Sequence, residues 1–438
     1  MTSDVLENLR EFSEGSLGGR TCLYIDMAYS LAEVRQRGHS QFFEARHSGG
    51  YFEKVIGLHP IADRVTKMNE AIERHRFDDR QEVIEGRSEA LPWPRWLLPL
   101  NVIISQRRLL RHICAVVRSE RVSLISATEP LYAGLFGSWV KKRTGRPLVV
   151  HLYANFDLNY ATTGKVQNPR LIRWRFVEKW LIRHVLARAD LVAAGSHTMA
   201  EFAVTQGVPP DRIVVLRVGK YMMPEHRVPP AERAKLTCKE CEEFGIAGRG
   251  KLLLTVARLE QEKKVDHALR AFSVVVREHP DALLLLAGQG SERDNLEALA
   301  RELGVHDRVR FLGLIRQDVL ARLEPDCVIL SPLTGMALLE TSMAGAPPIA
   351  YNFDSSIADL VESGVTGELI VPGDWQAMGL AASRILSDPN ERRRLGKAVR
   401  ERAEILSDPD RIYAVERAAY EGVIARCARQ ARQASDGR

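Results

Sequence analysis

The chain has 438 residues, enough for two or three ordinary domains and too many for one small core. With 45% hydrophobic and 27% charged residues, 31 Gly and 20 Pro, its composition is that of a folded globular protein and excludes collagenous and low-complexity architectures. The formal charge of +6 is unevenly spread: residues 1–220 hold 32 Lys and Arg against 23 Asp and Glu, a net of +9, and the remainder carries −3.

In chain order, the opening MTSDVLENLREF lacks a basic stretch followed by an apolar one, and no run approaches ~18 apolar residues, so neither export nor membrane spanning is expected. The segments TCLYID (21–26), KVIGLH (54–59), VSLISA (122–127), PLVVHLY (147–153), ADLVAAGS (189–196) and RIVVLRV (212–218) read as strands. Helical spacing near 104–118 and 171–187 separates some of them. Pro and Gly cluster over 220–249, which predicts an interdomain crossing after a first domain at 1–219.

The second half alternates more cleanly. KLLLTVA (251–257), ALLLLAG (282–288), RVRFLG (308–313), CVILS (327–331), PPIAY (347–351) and GELIVP (367–372) are short apolar runs. Between them, helical spacing puts Ala268, Phe272 and Val275 on one face, and Leu296, Leu299 and Leu303 on another. Strand and helix alternate six times, which predicts an α/β domain at 250–390 with a parallel sheet wound on both faces. Charged helices at 390–406 and 410–432 follow, and residues 391–438 are expected to cross back to the domain junction.

Six cysteines give no disulfide framework and suit a reducing cytoplasm. Cys238 and Cys241 form one CxxC pair, but no second pair completes a structural zinc site, so no metal is expected. Residues 90–190 carry 17 basic against 5 acidic side chains, interleaved with Trp93, Trp96, Trp139, Trp174 and Trp180. Such a stretch suits an anionic partner such as a lipid surface or an acidic glycan; the plainer alternative is a solvated Arg-rich face. No nucleic-acid-binding module accompanies it, and nucleic acid is not an expected partner.

Four segments of the second half fall in a telling order: TVARLEQEKKVDHALRAF, LLLLAGQGSERDNLEALARELG, RVRFLGLI, and GMALLETSMAGAPPIAY with the downstream SSIADLVESGVTGELIVPGD. Together they resemble the retaining glycosyltransferases of the GT-B fold, in particular the large family-four group. The resemblance is strong over about 250–390 and rests in the first half on strand order alone. It implies two doubly wound, Rossmann-like domains facing across a cleft. The first would bind the acceptor and the second a nucleotide diphosphate sugar, with no cofactor and no metal.

The same resemblance assigns roles. Arg258 and Lys263 would grip the two phosphates, where charge builds as the sugar departs. Family members place Gly after that Lys; here it is Lys264. Gly288 and Gly290, with FLGL ending at Leu314, would pocket the base, and Glu340 would accept the ribose hydroxyls. The partner carboxylate eight positions before Glu340 is replaced by Pro332, while Thr334, Gly335, Met336 and Ala337 open a helix whose N–H groups suit the pyrophosphate and sugar. His151, at the end of PLVVH, matches a histidine that contacts the donor sugar, although a strand-end histidine is also a common structural residue.

The first βα turn, DMAYSLAEV, lacks the paired glycines of many relatives; Tyr29 and Ser30 stand in their place. Asp157 suits either an acceptor contact or a helix cap. The expected function is retaining sugar transfer to a glycan or lipid-linked hydroxyl, by a cytoplasmic protein held peripherally on the inner face of the membrane. The alternative is a catalytically silent GT-B scaffold that binds a nucleotide or glycan.

Overall fold

The computed structural model describes residues 20–436 except 28–30, 33, 35–39, 65–66, 90, 92–96, 169–171, 248–249, 331–335 and 354. The chain divides into two compact units, Met1–Lys220 with Pro409–Arg438, and Tyr221–Asp408. Each is an α/β unit built on a largely parallel sheet.

The first unit holds β1 (Thr21–Ile25), β2 (Lys54–His59), β3 (Ile72–Arg76), β4 (Gln81–Gly86), β5 (Val122–Ala127), β6 (Leu148–Leu152), β7 (Leu191–Ala194) and β8 (Ile213–Val215). They lie in the order β3-β4-β2-β1-β5-β6-β7-β8. Every neighbouring pair is parallel except β3 and β4. Because both faces of such a sheet are covered, its strands read as continuous apolar runs, and all five residues of β1 are buried. The helices Leu98–Ser119, Tyr132–Thr144 and Arg175–Leu186 cover one face, burying Leu109, Ile113, Phe136, Val140 and Ile182. The long helix Pro409–Asp436 contributes Tyr420 and Val423 to the core of the other face.

The hairpin β3–β4 is absent from the sequence reading. Its edge strand reads IERHR, with one apolar residue among charges, and so has no hydrophobic signature; charge on an edge strand is a common guard against pairing with another chain. The helix Leu98–Ser119 begins earlier than its periodicity suggested, with Pro99 in the first turn, where a missing N–H is harmless.

The second unit holds β9 (Leu252–Val256), β10 (Leu283–Ala287), β11 (Val309–Gly313), β12 (Cys327–Leu330), β13 (Pro348–Tyr351) and β14 (Glu368–Ile370), in the order β11-β10-β9-β12-β13-β14 and parallel throughout. Ala268, Phe272 and Val275 are buried on the helix Val265–Glu278, as the spacing predicts. Residues 221–249, read in sequence as a crossing, group with this unit. The reason is Arg233, which is buried and donates to the carbonyls of Val228, His226, Ala321 and Met343 at 2.7–2.9 Å. Of the two terminal helices, Pro389–Ser407 belongs to the second unit and Pro409–Asp436 to the first.

What ties Pro409–Asp436 to the first unit is a buried ion pair. Lys220 Nζ lies 2.5 Å from Glu416 Oε1, which also accepts from the Tyr420 hydroxyl at 2.8 Å. Burial opposes both charges, yet Lys220 lies above and Glu416 below its ordinary pKa, because each faces the other. Removing one partner strands the other. Lys220→Met should therefore cost roughly 3–5 kcal/mol in chemical denaturation, and Lys220→Met with Glu416→Gln much less. An equal loss in both variants would show that the charges are not what holds the helix.

Candidate functional site

In open α/β sheets ligands bind beyond the C-terminal ends of the strands, where strand order reverses. In the second unit that point lies between β9 and β12. The loop after β9 carries Arg258, exposed and paired with Glu262 at 2.8 Å, and then the short turn Gln261–Lys263. Lys263 is partly buried. Burial, and after it the Arg258 cation, lowers its pKa, while Glu262 opposes the shift. Two like charges thus share one loop at the strand edge, and a bound anion would relieve their repulsion.

Lys264 follows with φ 49 and ψ 40, in the left-handed region. Where the family resemblance places a glycine the backbone is thus left-handed, and a side chain there is strained by about 1–2 kcal/mol.

The loops after β10 and β11 brace this one. Leu259 N–H donates to Gln289 O at 2.9 Å, Glu292 N–H to Leu259 O at 2.9 Å, and Gly288 N–H to Gly313 O at 2.8 Å. A Cβ on Gly288 would sit 1.8 Å from Ala257 O, and one on Gly290 2.1 Å from Leu259 O. Both glycines are therefore required by the approach of the β9 loop, a use that the sequence reading did not foresee. Leu314, past the end of β11, is 73% exposed.

After β12, Thr334 and Gly335 fall outside the described residues, as does Pro332. Met336 and Ala337 open the helix Met336–Met343, where Ala337 O accepts from the Thr341 hydroxyl at 2.6 Å. Glu340, on the same helix, is 8% exposed, and burial raises its pKa to about 7. A buried carboxyl of this kind is a ready acceptor for ligand hydroxyls.

In the first unit His151 is wholly buried. Its Nε2 meets the Ser126 hydroxyl and its Nδ1 the Tyr153 hydroxyl, both at 2.9 Å. Burial, then Lys220, pushes its pKa down to about 3 against the pull of Glu416, so it stays neutral. This is the geometry of the structural alternative. Asp157 pairs with Arg175 and Lys179, while Asn155 caps the helix Phe156–Thr163. Tyr29 and Ser30 lie outside the described residues.

Sequence reasoning passed over two carboxylates at the reversal point of the first sheet, between β1 and β5. Asp26 pairs with Arg46 at 2.6 Å. Glu129 accepts from the N–H groups of Leu131 and Ala133 at 3.0 and 2.7 Å, and burial raises its pKa to about 7. The acid followed by Pro130 after a strand was the available signal for it.

Two Rossmann-like units with ligand-bearing loops at the C-terminal edges of their sheets are the architecture of the GT-B glycosyltransferases. Residues 33–219 match the family described as glycosyl transferase 4-like domain, and residues 239–402 the family described as glycosyl transferases group 1. N-acetyl-alpha-D-glucosaminyl L-malate synthase of Bacillus anthracis is 30% identical over 226 residues, which are 50% of this chain and 56% of that protein, so the match spans about half the relative's length. The alpha-D-kanosaminyltransferase of Streptomyces kanamyceticus is 26% identical over 68% of this chain and 75% of its own. Among solved structures, Anabaena HepE in complex with UDP and glucose superposes with TM-score 0.64 at 18% identity, covering 90% of this chain and 97% of its own. The chain belongs to the family-four-like glycosyltransferases of the GT-B fold.

Glu340 gives a pH signature. Its folded pKa, about 7, lies above the ordinary 4.5. The contribution to stability is therefore full below 4.5 and is lost as pH rises through 7, worth at most about 3 kcal/mol. Denaturation midpoints of the parent chain should fall between these pH values, and Glu340→Gln should flatten that part of the profile. An unchanged slope in the variant would assign the titration elsewhere.

Proposed function

We propose that the chain moves a sugar from a nucleotide diphosphate sugar to a hydroxyl of a glycan or lipid-linked acceptor, with retention at the anomeric carbon and without a metal ion in the transfer step. The observation that carries this reading is the β9 loop, which holds Arg258 and Lys263 together at the reversal point of the second sheet. The leaving pyrophosphate gains charge as the sugar becomes oxocarbenium-like, and two preorganised cations stabilise it as it forms. Glu340 accepts the ribose hydroxyls. Backbone groups of the loops after β10 and β11, with Leu314, surround the base, and the start of the helix at Met336 and Ala337 meets the pyrophosphate and sugar. The departing phosphate removes the acceptor proton on the same face, so no carboxylate nucleophile is required. His151 supports the crest of the first sheet through Ser126 and Tyr153.

Arg258→Ala and Lys263→Ala should each lower nucleoside diphosphate release by about two orders of magnitude, with the fold retained. EDTA should leave the initial rate unchanged. Normal turnover in the two variants would remove the phosphate assignment, and a strict divalent requirement would remove the metal-free mechanism. A thermal-shift comparison of UDP, GDP, ADP and TDP identifies the base, since ligand binding to the folded state raises Tm. Nucleotide binding without turnover would favour the silent scaffold.

We also propose that the acceptor is met at an anionic membrane surface. No described helix is long and apolar enough to cross a bilayer. Yet Trp174, Phe176 and Trp180 are 60%, 70% and 59% exposed, with Arg173, Lys179 and Arg183 exposed around them. Val177 and Leu181 of the same stretch turn inward, whereas Trp174 stays on the exposed side. Leu98, Leu100 and Ile103 are exposed on the helix that also presents Arg107, Arg108 and Arg111. Exposed aromatic and aliphatic groups among cations suit a lipid headgroup layer. Trp93 and Trp96 lie outside the described residues. Co-sedimentation with liposomes should require anionic lipid, weaken with salt, and drop when Arg107, Arg108 and Arg111 become Ser. Equal recovery with neutral vesicles, or none with either, would make this an ordinary solvated face.

A further inference from the structure

The hairpin that the sequence concealed brings together three side chains that the transfer reaction does not use. Glu73 on β3 lies directly opposite Glu85 on β4, and His75 lies two residues along the same strand face. Like charges facing each other across a strand pair are destabilising unless a cation joins them. The neighbouring arginines are engaged elsewhere: Arg74 with Glu82 and Glu120, and Arg76 with Asp79.

Each carboxylate has one oxygen fixed by backbone N–H groups. Glu73 Oε1 accepts from Asn69 at 2.5 Å and Glu70 at 3.0 Å, and Glu85 Oε1 accepts from Leu31 at 3.0 Å. The remaining oxygens converge on one ring nitrogen: His75 Nε2 is 3.3 Å from Glu73 Oε2 and 3.7 Å from Glu85 Oε2. All three atoms lie within 4.8 Å of one another. The Glu85 side chain is only 2% exposed, and its Oε2 faces His75. The carboxylate of a buried side chain is thus aimed at the point where the other two ligand atoms meet.

We propose that Glu73, His75 and Glu85 form a binding site for a zinc-class divalent cation, separate from the transfer step. Bonds of about 2.0–2.1 Å in tetrahedral geometry space neighbouring ligand atoms about 3.3 Å apart, close to the separations around His75. An imidazole among only three protein ligands selects against Mg2+ and Ca2+, which take more oxygens. The N–H bonds to Glu73 and Glu85 act as the outer supports that such sites need to orient their ligands. The fourth position is left for water or for an oxygen of a bound molecule. The site stands near the C-terminal end of β4, whose last residues pair with the end of β2, and Glu85 links it to the chain beyond the first βα turn.

The full chain carrying Cys238→Ser and Cys241→Ser tests this, so that the cysteine pair on the helix Cys238–Glu243 contributes no zinc binding. Zinc should raise its Tm and bind with one equivalent in competition with a chromogenic chelator, and Co2+ should show the visible absorption of a four-coordinate ion. Glu73→Gln and His75→Ala should weaken zinc by more than the roughly 10–100-fold that loss of an outer support costs. Mg2+ and Ca2+ should leave Tm unchanged. His75 is 39% exposed, so its replacement tests binding without endangering the fold. No uptake by the parent chain, uptake undiminished in His75→Ala, or an equal response to Mg2+ would overturn the site and leave an ion pair between His75 and the two glutamates.

Discussion

Parallel strand pairing is the constraint from which the rest of the molecule follows. Two parallel strands can be joined only by a crossover over a face of the sheet, so each strand feeds its next loop at the same edge. In both units the loops that follow the strands therefore gather along one border, and the reversal of strand order opens a place there that no crossover covers. Arg258 and Lys263 share one loop and Glu340 lies far along the chain from them, yet these segments follow the two strands, β9 and β12, that flank this place. Their convergence is a property of topology before it is one of side chains.

Close backbone packing then fixes the loops. The β9 loop lies against the β10 loop so tightly that neither Gly288 nor Gly290 can carry a Cβ, and main-chain hydrogen bonds join the two. A site made mainly of backbone held by backbone is stiff, and stiffness gives electrostatic stabilisation its value: the donors need not reorganise when charge develops. The strained left-handed Lys264 fits the same picture, since its conformation persists only because the surrounding chain dictates it.

The buried charges fall into distinct kinds. Lys220 and Glu416 satisfy each other and fasten a helix. Arg233 is satisfied by four carbonyls and fastens the segment before β9. Lys263 and Glu340 are shifted chiefly by burial, and both stand beside the reversal point. Burial that outweighs the nearby charges is unfavourable in the unliganded chain, and a ligand can lower the penalty. That difference separates the groups that hold the fold from those whose burial a ligand would relieve.

The sequence alone determined the strand and helix alternation, the two α/β units and the two cations of the β9 loop. Those features are carried by local apolar periodicity and by short motifs, which survive without knowledge of the fold. It placed twelve of the strands close to their observed limits, because each of them is a short, mostly apolar run. Only the tertiary structure decided the rest. The edge hairpin β3–β4 has no hydrophobic pattern to read, and its Glu73, His75 and Glu85 meet through cross-strand register. His151 ends a strand, and only the fold shows that it is wholly buried near the Lys220–Glu416 pair. Arg233 lies in a stretch that Pro and Gly make resemble a linker, and two of its four carbonyl partners, those of Ala321 and Met343, come from distant parts of the chain. Local pattern encodes the form of each element, whereas the environment of a polar group is set by whatever packs against it.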